Sequence, residues 1–155
     1  MSVVNGPAYG AGAEIALASD IVLASEASTF AFSGGRVGAL CCISGILGPL
    51  TMNGRKVVEM NLTGNTVNAQ EAQLYGLVNQ VVPPAALESL AKMVFDEITH
   101  VSPISNASFK RIRRSLVTRR SLTVAYDELL RTITSKDFKT GAKAFAQKTP
   151  AKYYP

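Results

Sequence analysis

Tryptophan is absent from this chain, histidine occurs once, cysteine twice, and only 17% of its 155 residues are charged. The two cysteines, Cys41 and Cys42, are adjacent. Neighbouring residues rarely meet the separation and dihedral that a disulfide needs, so both read as free, buried thiols. That excludes a disulfide-stapled scaffold and points to a reducing compartment, cytoplasm or mitochondrial matrix. No apolar run reaches the ~18 residues that a membrane-spanning helix requires. Met1-Ser2 leads straight into Val3-Val4 with no charged leader or cleavage signal. No membrane partner is therefore expected. Internal repeats and low-complexity stretches are also lacking. What is present is a chain 47% hydrophobic, ordered and rich in interior. Its sparse charge implies a heavily buried domain, or a surface partly covered by other subunits or by missing chain. The net charge of +5 suits an anionic ligand, a nucleic acid or an acidic surface without choosing among them.

Local patterns give an alternation of short strands and helices. Ser2-Val3-Val4 reads as the end of a buried strand broken by an Asn5-Gly6-Pro7 turn. Ala13 to Ser19 is apolar nearly all round, the pattern of a helix packed on more than one side. Asp20 to Ala24 and Ser28 to Phe32 read as strands, and Ser33 to Ile46 as a loop region leading into a short helix over Ile43 to Leu50. Further helices are predicted over Gly54 to Leu62, ending at a left-handed cap in Thr63-Gly64-Asn65, and over Asn68 to Leu74, closed by Gly76. Leu77 to Val82 reads as a strand. Beyond it lie amphipathic helices over Leu87 to Thr99, Ile104 to Val117, Leu122 to Ile133 and Lys139 to Gln147, then a Tyr153-Tyr154-Pro155 end. His100 is read as a helix-end residue, and Asp20 as a structural cap or ion-pair partner.

Asn5 to Asp20 is the segment best suited to chemistry. Small residues at Gly10, Ala11 and Gly12 allow a ligand to approach the backbone closely. The helix that follows adds positive potential for a developing negative charge.

The run Val4-Asn5-Gly6-Pro7-Ala8-Tyr9-Gly10-Ala11-Gly12-Ala13-Glu14-Ile15-Ala16-Leu17-Ala18-Ser19-Asp20 resembles the signature of the crotonase superfamily, the enoyl-CoA hydratases and isomerases. Ala27 to Phe30, Leu62-Thr63-Gly64, Ala69 to Ala72, Tyr75 to Val82, Ser102-Pro103 and Gly141 to Phe145 extend the likeness over essentially the whole chain. The resemblance implies an α/β fold: a partial crotonase-like β-β-α spiral over residues 1–85, then a C-terminal helical region over 86–155 that mediates trimers, often paired into hexamers. It also implies that the family's N-terminal half lies outside this chain, which would then be poorly active alone. The substrate implied is an acyl-CoA thioester, with no cofactor beyond that coenzyme A and no metal.

By the same resemblance, the Ala11 amide is one oxyanion donor, with Gly12 behind it, and Glu14 is the first of two glutamates that hold and activate water. Glu14 opens a helix, where a carboxylate is also an ordinary stabilising choice, and apolar surroundings would suit it to proton transfer. The second glutamate falls at Gly34 and is absent, which puts two-glutamate hydration in doubt and favours a decarboxylase of malonyl-type thioesters as the alternative. Arg36 is either a solvated side chain or a partner for an acidic acyl group. Phe145 and Lys148, with Lys143, resemble positions near the coenzyme A adenine and phosphates. A third alternative is a non-catalytic assembly or RNA-binding subunit, carried by Lys110, Arg111, Arg113, Arg114, Arg119 and Arg120. That cluster lacks interleaved aromatics and reads first as a solvated or intersubunit helix face.

Overall fold

The computed structural model describes residues 1–153, so Tyr154 and Pro155 of the expected terminal segment lie outside the described residues. The chain begins with β1 (Ser2–Val4), β2 (Pro7–Tyr9) and α1 (Ala11–Ala18), followed by β3 (Val22–Ser25) and β4 (Thr29–Ala31). A 3₁₀ turn at Ser33–Val37 leads to α2 (Cys42–Thr51) and α3 (Gly54–Thr63). Then come β5 (Val67–Asn68), α4 (Ala69–Leu74), β6 (Gln80–Val82), a 3₁₀ turn at Pro84–Ala86, and α5 (Leu87–Thr99), α6 (Pro103–Arg114), α7 (Arg119–Ile133) and α8 (Lys136–Ala146).

The first four strands alternate between two sheets. One three-stranded sheet has the order β1-β3-β6, and the other β2-β4-β5. The first is parallel throughout, with Val3 opposite Leu23 and Leu23 opposite Gln80. In the second, β2 and β4 are parallel with Ala8 opposite Phe30, and β5 runs antiparallel to β4. As the middle strand of a parallel sheet, β3 is buried along its whole length, which fits its continuous apolar run. Alternate residues serve different cores. Val22 and Ala24 pack with Ala13, Ala16, Leu17, Phe30 and Phe32, whereas Leu23 packs with Leu87, Leu90 and Val94 of α5.

Several boundaries differ from the sequence reading for definite reasons. The Asn5-Gly6-Pro7 break is shorter than expected: Pro7 opens β2, and β2 occupies the edge of its sheet, where a missing N–H is tolerated. Residues Leu77 to Asn79 are not strand. The amides of Leu77 and Val78 both donate to Ala72 O, at 2.8 and 3.2 Å, wrapping the end of α4. Asn79 then brackets Val22: its N–H donates to Val22 O at 2.8 Å and its Oδ1 accepts from Val22 N at 2.7 Å. The predicted ends of α3 and α4 agree with the structure. Gly64 takes φ 62°, and Asn68 with Glu71 forms a capping box. His100 sits at the C-terminal end of α5, its Nδ1 2.7 Å from Asp96 O.

The last three helices attach differently. α7 packs on α2, and α8 lies on the Ser33–Val37 turn. At Gly141 a Cβ would overlap the Val37 backbone, so only glycine admits this approach. α6 has no buried residue; Asp20 meets it through Lys110 at 2.7 Å and Arg113 at 3.7 Å. Two cations of the basic cluster are thereby paired rather than simply solvated. No helix among the described residues is long and apolar enough to cross a membrane.

Because Leu23 is the one β3 side chain joining α5 to the sheet, Leu23→Ala should lower the unfolding free energy by ~2–5 kcal/mol. Denaturant unfolding followed by circular dichroism measures it, and a change below ~1 kcal/mol would contradict this packing account.

Candidate functional site

Gly10 sets the turn before α1. Its φ of 53° and ψ of −119° fall where residues with a Cβ are strained. Its N–H donates to Ala31 O at 2.9 Å, fixing the turn to the end of β4. The first bond into the helix runs from Glu14 N to Gly10 O at 3.1 Å. The amides of Ala11, Gly12 and Ala13 are therefore the free first-turn donors of α1, with Ala11 exposed at the surface. Side chains in a helix lean toward its N-terminus, so Glu14, one turn on, leans back over these amides.

The Glu14 carboxylate is held from the opposite side. Its Oε1 accepts the N–H of Ile43 at 2.7 Å and of Ser44 at 3.0 Å. Helix α2 is preceded by Cys41, which gives it no side-chain cap, and Glu14 supplies the missing acceptor from another helix. Both bonds end on Oε1, and no donor among the described residues reaches Oε2. Glu14 thus meets polar donors instead of the wholly apolar surroundings that its sequence context suggested. Ser44 fixes α2 in turn: its Oγ lies 2.6 Å from Cys41 O and 2.8 Å from Asn61 Oδ1 on α3.

Gly34 adjoins this arrangement. A Cβ there would stand 3.0 Å from Cys41 N and 3.1 Å from both Cys41 Sγ and the Leu40 carbonyl carbon. The position is empty of a carboxylate and also too tight for one unless the Leu40–Cys41 backbone shifts. Arg36 faces away, donating from Nη2 to Asn65 Oδ1 at 2.8 Å and from Nε to Thr63 O at 3.3 Å. It closes the end of α3 while remaining exposed to solvent, and its bonds run to Asn65 and Thr63, not to Glu14.

The structure brings Glu14 and Gly34 to the start of α2, with Gly10, Ala11 and Gly12 in the turn that leads to Glu14, whereas Phe145 and Lys148 lie at and just beyond the end of α8. Phe145 is 74% exposed and lines a shallow cavity of about 410 Å³ with Arg36, Val37 and Gly141. Lys148 is exposed with φ 53°. The site members that sequence reasoning missed are the Ile43 and Ser44 amides and Asn61. One signal for the amides was available: Cys41-Cys42-Ile43 starts a helix without Ser, Thr, Asp or Asn at its cap, so an acceptor must come from elsewhere.

The cysteines beside this carboxylate are free, as expected, but only Cys41 is buried; Cys42, at the first position of α2, is half-buried. Burial pushes the Cys41 thiol up; a hydrogen bond to Gly34 opposes it, and the Glu14 charge adds to the rise. Burial and then Glu14 likewise raise Cys42.

A family model described as enoyl-CoA hydratase/isomerase matches residues 1–154. Carnitinyl-CoA dehydratase of Proteus mirabilis is 32% identical over 157 residues, covering 96% of this chain and 60% of that protein. (E)-Benzylidenesuccinyl-CoA hydratase of Thauera aromatica is 32% identical over 155 residues, covering 96% and 59%. The crystal structure of carnitinyl-CoA hydratase from Mycobacterium avium superposes with a TM-score of 0.88 at 29% identity, over 96% of this chain and 60% of that one. The chain spans about 60% of the length of these proteins.

Since a raised thiol pKa favours the protonated form, alkylation of Cys41 and Cys42 by iodoacetamide should be slow at pH 7–8 compared with a free thiol. The stability contributed by the protonated thiols is complete below the ordinary thiol range and falls away as pH rises through the raised values. Rapid alkylation at neutral pH, read by mass spectrometry, would contradict the burial.

Proposed function

The chain belongs to the enoyl-CoA hydratase/isomerase family, and we propose that it takes part in hydration or isomerisation of an acyl-CoA thioester through an enolate held in an oxyanion hole. The observation that carries this reading is the Glu14 carboxylate, fixed by the Ile43 and Ser44 amides one helical turn from the free Ala11 amide. The thioester carbonyl accepts from Ala11 N–H, with the α1 dipole favouring the oxyanion. Gly10 and Gly12 keep the approach open, and Glu14 moves the proton through its unengaged Oε2. No cofactor is invoked beyond coenzyme A within the substrate.

One donor makes half of such a hole, and a missing donor weakens transition-state stabilisation by ~2.7–4 kcal/mol. We place the second donor outside these 155 residues, in polypeptide that covers the side of α1 where Ile15 is 66% exposed. In the same proposal residues 1–85 form part of a β-β-α spiral, and the helices over 86–155 associate into trimers or hexamers. Exposed apolar side chains on those helices, among them Phe95, Ile104, Phe109 and Ile112, support association. Phe145 and Lys148 are assigned to the coenzyme A end of the substrate by resemblance alone.

Gly34 favours a second reading, decarboxylation of a malonyl-type thioester. Loss of carbon dioxide needs the oxyanion donor and a proton source, but no water held between two carboxylates, and the Leu40–Cys41 backbone leaves no ready room for a second one.

Two substitutions test these readings in the polypeptide that carries this chain. Glu14→Gln should lower turnover of a crotonyl-type thioester by 10²–10⁴-fold with little change in KM, as expected for a lost acid/base. Unchanged hydration would sink its assignment, and preferential turnover of a malonyl-type thioester would select the second reading. Ala11→Pro removes one N–H at the first helical position, which tolerates proline. It should leave the melting temperature nearly unchanged and reduce kcat by ~10²–10³-fold; full activity would exclude that amide as a donor.

A further inference from the structure

Beyond the Ala11 turn, at the other end of α1, lies a cleft of about 760 Å³, within the size range of small-molecule sites. Its floor is apolar, formed by Leu17 of α1 and Ile43, Ile46 and Leu47 of α2. Its rim is cationic, with Lys110, Arg111, Arg113 and Arg114 of α6. Asp20 pairs with Lys110 and Arg113. Arg111 and Arg114, three residues apart and so on one helix face, pair with no carboxylate among the described residues. Arg111 is steadied by Ser108 Oγ at 3.0 Å.

An apolar floor beneath two uncompensated guanidiniums complements an amphipathic anion. A hydrocarbon chain leaves water on the floor, and a carboxylate takes charge-assisted hydrogen bonds at the rim. Nucleic acid fits less well, because no aromatic side chain lines the cleft for bases to stack on. The cleft also adjoins the Glu14 site: Ile43, whose N–H holds Glu14, lines it, and so does Leu17, three residues further along α1. From Ala11 to Ala18 the helix rises about 10 Å, a span that an extended chain advancing about 1.2 Å per bond covers in roughly eight bonds.

We infer that this cleft seats the far end of an acyl group of about eight or more carbons bearing a terminal carboxylate, which meets Arg111 and Arg114. The inference rests on the acyl-thioester reading and adds the substrate class, an ω-carboxyacyl thioester.

Calorimetric titration of the protein with free dodecanedioic acid and with butanedioic acid tests the cleft without using the thioester site. The longer diacid should bind at least ~10-fold more tightly, and Arg111→Gln/Arg114→Gln should remove ~10-fold or more of that affinity at an unchanged melting temperature. Equal affinity for the two diacids, or equal affinity of the two proteins for the longer one, would overturn the inference. So would displacement of the diacid by an RNA oligomer with a steep salt dependence, which would give the cluster to nucleic acid. Butyryl-CoA, titrated in parallel, reports on the thioester reading by itself. Its binding should be the same in both proteins, and failure to bind either would count against that reading while the diacid result still decides the cleft.

Discussion

Glu14 joins two helices that have no other polar link at this point. Helix α2 starts without a capping side chain, and its first amides would be left without acceptors if the Glu14 carboxylate did not reach them from α1. A cap of this kind typically contributes ~0.5–2 kcal/mol, and here it also sets geometry. It fixes the carboxylate beside the turn that carries the free Ala11 amide. Ser44 and Asn61 tie the same helix start to α3, and at Gly48 a Cβ would come 2.6 Å from Val57, so α2 can lie close against α3. The chemistry assigned to Glu14 thus depends on how the next two helices pack.

Small residues decide what lies around that carboxylate. Gly10 takes a backbone conformation that keeps the turn tight against β4, and Gly34 lets the 3₁₀ turn fold against Leu40 and Cys41. Gly141 allows α8 to rest on the same turn, where the Tyr153 hydroxyl donates to Arg36 O at 2.7 Å. The loop carrying Gly34 is therefore clamped from both sides. Glycine at such a position packs without leaving a void, and the proposed hydratase and decarboxylase readings are alternatives of mechanism on one scaffold.

Charge is distributed with similar economy. Asp20, in the turn after α1, pairs with Lys110 and, at longer range, Arg113 in exposed contacts that add little stability. They join α6 to the turn after α1. The same helix carries Arg111 and Arg114 to the cleft edge, so one carboxylate orients the surface that receives another.

Much of this was legible in the residues. The apolar run of β3, the capping box at Asn68 and Glu71, the left-handed Gly64 and the glycine turn before Glu14 are local features, set by backbone sterics and by hydrogen bonds within a few residues. Periodicity marked all the later helices to within a few positions. Other features depended on partners distant in sequence. Leu77 to Asn79 has strand composition, yet its amides turn back to Ala72 and Val22. Glu14 sits in an apolar sequence, yet it meets two amides 29 and 30 residues away. Arg36 looked free and closes α3. By itself the sequence determined the local conformations and the residues available for chemistry, because these follow from short-range sterics and side-chain type. Only the tertiary structure decided what each polar group faces, because acceptors, close approaches and burial are set by segments that the chain brings together on folding.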